Sequence, residues 1–193
     1  MIKRFAALIT KYSVTHNWIE GSQYAWCQYA LEKQLAKTLF FFVCLLLVIF
    51  THTWVEVGAF ILVFYLFRSR MGGWHASHVW SCQLVSIALV IMITFIIGPI
   101  VKHLGQPTLI TVDITIVTIT FFVTPLYPVE AHFTQTVRTS NMTRKNVMLL
   151  ILIILQGISM IALGPSFLAY SLLALLITDL SVLLQYLKTK KEG

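Results

Sequence analysis

Six apolar segments, separated by short polar stretches, dominate the pattern of hydrophobic and polar positions after residue 37. They lie near residues 38–50, 54–67, 80–101, 109–126, 147–163 and 166–187. A helix needs about 20 mainly apolar residues to cross the hydrocarbon core of a bilayer. The pattern therefore predicts an all-α integral membrane protein, a bundle of about six transmembrane helices.

The first two segments are short for a membrane span and are separated only by Thr51-His52-Thr53. One long helix over residues 38–67 is therefore an alternative, and a re-entrant hairpin is another. At about 1.5 Å per residue, a single helix of that length would overshoot a hydrocarbon core of about 30 Å.

The distribution of basic residues favours six passes with both termini in the cytoplasm. In that arrangement 13 of the 14 Lys and Arg residues are cytoplasmic, and Lys102 alone is outside. Treating residues 38–67 as one span would place six inside and eight outside. Because cytoplasmic loops carry an excess of Lys and Arg, we expect the six-pass arrangement, with the polar connector 127–146 in the cytoplasm. The charge count leaves the re-entrant hairpin open.

The region before the apolar segments has the pattern of a membrane-surface helix. Ile2, Phe5, Ala6 and Ile9 repeat at helical spacing, and a weaker amphipathic pattern follows over residues 22–37. We therefore expect an amphipathic surface region over 1–37, a transmembrane domain over 38–187 and a basic cytoplasmic tail over 188–193. The first residues lack the continuous apolar core of a cleavable signal peptide.

Composition supports the membrane assignment and limits the partners. Of the 193 residues 58% are hydrophobic and 11% charged, with a mean hydropathy of +0.84, whereas a soluble domain is usually about one quarter charged. The net charge is +7, but the basic residues are spread over several loops. We therefore expect membrane lipid and an acidic partner, not nucleic acid. A homodimer, formed through small residues on helix faces, is a candidate assembly.

The strongest chemical signal is the stretch RSRMGGWHA over residues 68–76, with Cys82 seven residues after His75. Thiol and imidazole are the minimal parts of a cysteine peptidase, because the imidazole promotes the reactive thiolate. Seven residues span about two helical turns, too far for direct contact, so His75 would have to lie off the helix. Gly72-Gly73 allows such a bend. His78, four residues before Cys82, is the competing base.

Other interpretations of these polar residues stay open. The histidines and Cys82 could lie at an ordinary interface, or bind a metal ion, although no carboxylate ligand is near and we expect no metal or other cofactor. Glu56, Asp113 and Asp179 fall in apolar segments, where carboxylates are costly. Asp113 and Asp179 would suit ion or proton coupling in a small transporter or exporter, or a hydrogen bond between helices.

The stretch from 68 to 82 resembles the signature of the accessory gene regulator B (AgrB) family, membrane endopeptidases of Gram-positive quorum sensing. The matching residues are Arg68, Gly72-Gly73, His75-Ala76 and Cys82. The resemblance implies that Cys82 is the nucleophile, that His75 is its base, and that Arg68 and the two glycines support the site. Backbone N–H groups around Gly72-Gly73 are candidates for an oxyanion hole.

The resemblance also implies a substrate and a reaction. Such enzymes remove the acidic C-terminal tail of a short pro-peptide at the cytoplasmic side of the membrane. A peptidyl thioester on Cys82 would then be displaced by a thiol or hydroxyl of the peptide, which closes a thiolactone or lactone. Glu130, which follows Pro128 in the connector, and Asp113 are candidate substrate contacts. The lysines that the family has in this connector are absent around Thr134.

Overall fold

The computed structural model describes residues 2–74, 79–126, 135–162 and 164–192, which are almost entirely helical. The helices are α1 (Ile2–Thr15), α2 (Tyr24–Thr51), α3 (Trp54–Met71), α4 (Val79–Met92), α5 (Gly98–Lys102), α6 (Gln106–Phe122), α7 (Gln135–Ala162) and α8 (Ser166–Glu192). A π-helical segment, Ile93–Ile97, joins α4 to α5 without a break. The described part of the chain contains no β-strand, and the all-α expectation is confirmed there.

Four stretches are long and apolar enough to cross a membrane. They are Gly21–Thr51, Ser81–Lys102, Val137–Ala162 and Ser166–Lys191. Helix α6 is apolar but has 17 residues. Helix α3 has 18 residues and carries charged groups in its first and last turns. These lengths and compositions confirm an integral membrane protein. Each of the six apolar segments contains a helix, although the fourth, 109–126, is helical only as far as Phe122.

The break between the first two apolar segments lies where the sequence suggested it. Helix α2 ends at Thr51, α3 begins at Trp54, and His52 between them has a φ of 55°, in the left-handed region that interrupts a helix. The alternative of one helix over residues 38–67 is therefore wrong. Towards the N-terminus α2 begins at Tyr24, earlier than expected. The expected boundary between the surface region 1–37 and the transmembrane domain 38–187 therefore falls inside one continuous helix.

Helix α7 is also longer than its apolar segment. It begins at Gln135, so the second half of the connector 127–146 is helical and the expectation of a polar loop there is wrong. The stretch from Gln135 to Asn146 contains no Gly or Pro, so nothing in it opposes helix formation beyond the apolar part. Lys145 consequently belongs to a helix.

The structure divides into two compact units, and the first comprises Met1–Thr51 and Ala76–Leu89. Within it α1 packs against α2, and Ala6 and Thr10 on α1 are fully buried. Phe5, Leu8 and Tyr12 remain exposed on other faces of α1. A helix with short buried side chains on one face and large apolar side chains exposed elsewhere suits a position at a membrane surface.

The second unit comprises His52–His75 and Val90–Gly193, and α8 forms its centre. Helix α8 packs against α3, α5, α6 and α7. In the apolar stretch of α8 that is long enough to cross a membrane, 56% of the residues are buried, compared with 28% in the corresponding stretch of α7. Where α8 passes the π-helical segment, a Cβ on Gly98 would overlap the ring of Tyr170. The absence of a side chain at Gly98 therefore allows the two helices to approach closely. The central position of α8 brings it beside the C-terminal ends of α3 and α6, where the candidate site lies.

Candidate functional site

The residues expected at the site divide between described and undescribed parts of the chain. Arg68, Gly72 and Gly73 belong to the second unit and are described. Cys82 belongs to the first unit, where it is the fourth residue of α4, is half-buried, and accepts a hydrogen bond from Ser86 Oγ at its carbonyl oxygen (2.9 Å). His75 and its competitor His78 lie outside the described residues, as does Glu130.

The two glycines end α3 and turn the chain. Gly72 has a φ of 72° and Gly73 a φ of 104°, a conformation that residues with a Cβ rarely adopt. The Gly72 N–H still donates to Arg68 O (3.2 Å), which closes the last turn of α3. A Cβ on Gly73 would also overlap the Arg68 guanidinium and lie 2.8 Å from Ser181 Oγ. Both the backbone angle and the close approach therefore require glycine at position 73.

The segment after α6 pairs with this turn. The Leu126 N–H donates to Met71 O (2.9 Å) and the Gly73 N–H donates to Leu126 O (2.9 Å), which makes an isolated parallel bridge between Gly72 and Leu126. These bonds join the C-terminal ends of α3 and α6. The N–H groups of Gly72, Gly73 and Trp74 all donate within the protein. In this structure these three groups are therefore not free to bind an oxyanion.

The side chain of Arg68 holds the segment Gly72–Trp74 by hydrogen bonds to its backbone. Its Nη1 donates to Gly72 O (2.8 Å) and to Ser181 Oγ, and its Nη2 donates to Trp74 O. The Trp74 N–H donates to Ser181 O (2.9 Å) and Ser181 Oγ (3.1 Å) on α8. A guanidinium can serve several acceptors at once because its donors lie in one plane. Arg68 and Ser181 together fix the three residues that lead directly into His75.

A second polar cluster lies at the end of α6, and of its three members only Asp179 is distinctive in the sequence. Lys145 on α7 is 0% exposed, and its Nζ donates to Thr120 O (2.7 Å), Phe121 O (2.9 Å) and Val123 O (2.7 Å). Asp179 on α8 accepts from Thr120 Oγ1 at Oδ2 (2.7 Å). We refer to Lys145, Asp179 and Thr120 as the α6 clasp. The count of basic residues treats Lys145 as an exposed loop charge, whereas the structure buries it in α7.

The other intramembrane carboxylate forms a bond between helices. Asp113 on α6 is 8% exposed and accepts from Gln156 Nε2 on α7 (3.0 Å), which also donates to Ser171 Oγ on α8 (2.9 Å). Both Asp113 and Asp179 thus make hydrogen bonds between helices, which the sequence analysis offers as an alternative to ion or proton coupling. Glu56 forms an ion pair with Lys102 (3.2 Å), which joins the start of α3 to the end of α5.

The metal hypothesis depended on His75 and His78, which the structure does not describe. Among the described residues, no group of three or more His, Cys, Asp and Glu side chains is placed to hold a metal ion.

Fold and site together define an all-helical integral membrane protein in which two polar clusters organise the residues around a glycine turn. The family model for accessory gene regulator B matches residues 2–188 of the 193, and the chain therefore belongs to the AgrB family. Comparisons with curated proteins and with solved structures found no match. Membership confirms the resemblance carried by residues 68–82, and it is consistent with a role in quorum-sensing peptide processing.

Proposed function

We propose that the chain is a membrane cysteine endopeptidase that removes the C-terminal tail of a short quorum-sensing pro-peptide. The observation that carries the proposal is the anchored segment Gly72–Trp74, which lies within the family's signature and leads directly into His75. A general base acts efficiently only when it is held at the nucleophile. The anchoring by Arg68 and Ser181 provides a rigid start for that placement.

In the proposed reaction His75 takes the proton of the Cys82 thiol. The thiolate attacks the carbonyl carbon of the peptide bond before the tail. The tetrahedral intermediate collapses, its C–N bond breaks, and the proton on His75 goes to the amine of the released tail. The remaining peptide is then bound to Cys82 as a thioester. Because Gly72 and Gly73 donate their N–H groups elsewhere, the donors for the oxyanion are other groups.

The ring closes in a second step on the same thioester. A thiol or hydroxyl within the bound peptide attacks the thioester carbonyl, the C–S bond to Cys82 breaks, and the thiol of Cys82 is regenerated with the proton of the attacking group. The product is a thiolactone or a lactone. A thioester keeps much of the activation of an acyl donor, so cyclisation can compete with hydrolysis when burial of the site keeps water from the thioester.

The proposed topology has six passes, with the termini and the active site at the cytoplasmic side. The Glu56–Lys102 pair supports it, because it joins the start of α3 to the end of α5, which six passes place at the same side. In that topology α1 would lie at the cytoplasmic membrane surface, α2 would cross the membrane from its cytoplasmic start, and the C-terminal end of α8 would face the cytoplasm. The basic residues of that face would attract an acidic peptide tail.

Mass spectrometry of the purified chain in lipid tests the proposal. The protein would be incubated with a pro-peptide encoded beside its gene, one with a central Cys or Ser and an acidic tail. We expect released tail and a hydroxylamine-sensitive peptidyl adduct on Cys82. Cys82→Ala should abolish both, and Cys27→Ala should abolish neither. A folded protein that forms no adduct and releases no tail from its cognate peptide would refute the endopeptidase.

A further inference from the structure

The α6 clasp takes no part in the proposed chemistry, yet it places a fully buried cation in a membrane protein. An ammonium group removed from water is costly unless its hydrogen bonds are satisfied. Lys145 meets this requirement with three donors and three acceptors, all on the last residues of α6 or directly after it. The clasp therefore satisfies carbonyl groups that the end of α6 would otherwise leave without partners.

Electrostatics favours the Lys145 ammonium at the end of α6 in two ways. The C-terminal end of a helix carries a partial negative charge, so a cation stabilises it. The Asp179 carboxylate is close enough to attract the Lys145 ammonium. Asp179 Oδ2 is held by Thr120 Oγ1, while its Oδ1 is buried and has no partner among the described residues. The clasp thus joins α6, α7 and α8 at one point.

A short chain of contacts connects this point to the anchored segment. Lys145 Nζ donates to the carbonyl oxygen of Val123 (2.7 Å), an extended residue at the end of α6 that begins the short non-helical segment 123–126. Leu126 then exchanges hydrogen bonds with Met71 and Gly73 (2.9 Å each). Every link lies within the second unit. Displacing the end of α6 would therefore remove one of the two supports of the segment Gly72–Trp74, and the hydrogen bonds of Arg68 and Ser181 would remain as the other.

We propose that Lys145, with Asp179 and Thr120, is a positioning group for the catalytic base. By fixing residues 123–126 against Met71 and Gly73, the clasp sets the position of the segment that precedes His75. The inference rests on the proposed endopeptidase function, because it assigns a role in that reaction. Lys145 contacts neither substrate nor the reacting atoms in this role, so its loss should reduce turnover and leave substrate binding largely unchanged.

The first test uses two isosteric variants, Thr120→Val and Thr178→Val. Both threonines are 0% exposed and donate to a carbonyl of their own helix, Ile116 O and Ala174 O respectively. Of the two, Thr120 also reaches Asp179. We expect Thr120→Val to lower kcat for tail release about threefold to tenfold at unchanged KM, and Thr178→Val to change kcat by less than about twofold.

The second test removes the charge pair. Lys145→Met should lower kcat about tenfold or more. The double variant Lys145→Met/Asp179→Asn leaves no unpaired buried carboxylate, so it should fold more readily. Its kcat should stay low because the carbonyl groups at the end of α6 still lack the Lys145 ammonium. The double variant keeps the test decisive where the single variant fails to fold. A folded double variant, by its melting temperature in lipid, with kcat within about twofold of wild type would overturn the inference.

Two further measurements separate this inference from the proposed function. The first is the pH dependence of Cys82 alkylation, which responds to the base and not to the substrate. We expect the clasp variants to shift this profile towards that of His75→Ala, and Thr178→Val to leave it unchanged. The second is cleavage by His75→Ala and Cys82→Ala. Activity retained in those two variants would refute the endopeptidase, whereas their inactivity together with normal clasp variants would refute only the positioning role.

Discussion

The backbone N–H of Trp74 donates to two acceptors of one residue, Ser181 O at 2.9 Å and Ser181 Oγ at 3.1 Å, across 107 positions of the chain. Arg68 donates to the same Oγ and to Trp74 O. Trp74 is thus held at both its N–H and its carbonyl oxygen, and it is the last described residue before His75. Ser181, on the central helix of the second unit, therefore anchors the segment that precedes His75.

Ser181→Ala tests this relationship. The variant loses the hydroxyl that accepts from both Arg68 and Trp74 but keeps the backbone carbonyl, so the Trp74 N–H keeps one of its two hydrogen bonds. We expect the free energy of unfolding to fall by about 1 kcal/mol and kcat for tail release to fall about threefold to tenfold. The control is Ser159→Ala, because that buried hydroxyl donates to Gln156 O within α7 (2.9 Å). Equal kcat values for the two variants would count against a role of Ser181 at the site.

Arg68→Lys tests whether a positive charge alone is sufficient. Lysine keeps the charge, but its single ammonium cannot reach Gly72 O, Trp74 O and Ser181 Oγ with the geometry of a guanidinium. We expect kcat to fall about tenfold to a hundredfold, because the segment before His75 loses its bridging donor. Arg70→Lys, two residues later, should change kcat by less than about threefold. Restoration of wild-type kcat by lysine at position 68 would show that charge, and not bridging, is the requirement.

Gly73→Ala tests the turn itself. The added Cβ would meet the Arg68 guanidinium and Ser181 Oγ, and a φ of 104° is unfavourable for alanine. We expect a loss of about 1–3 kcal/mol in the free energy of unfolding, together with loss of tail cleavage. Gly157→Ala in α7 is the matched control, because nothing lies within 4 Å of a Cβ there and alanine favours a helix. Thermal unfolding in detergent and the cleavage assay check both, and a fully active Gly73→Ala would contradict the close packing.

The helices could be predicted from the sequence because hydropathy reports the environment of a membrane span directly. Their ends were less accurate for the same reason. Apolar character marks where the hydrocarbon begins, whereas α2 and α7 continue as helices through polar residues before it. The break at Thr51-His52-Thr53 was recognisable because a short polar interruption falls between two apolar segments.

The site was only partly predictable, and sequence separation explains the difference. Arg68, Gly72 and Gly73 lie within five residues of one another, so a local motif reveals them. Ser181 lies 113 positions from Arg68, and Lys145 lies 25 positions from Thr120, so both acquire their roles only through helix packing. An intramembrane carboxylate such as Asp179 gave a signal by its cost in lipid, but its partner did not.

The proposed topology can be tested by labelling single cysteines in intact cells. Lys102→Cys and Arg138→Cys would be introduced into a chain with Cys27, Cys44 and Cys82 replaced by Ala. Both positions are exposed in the structure, at the end of α5 and near the start of α7. Six passes place Lys102 outside and Arg138 in the cytoplasm. We therefore expect an impermeant maleimide to label position 102 in intact cells and position 138 only after the membrane is opened. Labelling of position 138 from outside would contradict the proposed cytoplasmic placement of the C-terminal ends of α3 and α6. It would also contradict the proposal that the acidic peptide tail is cleaved at the cytoplasmic side.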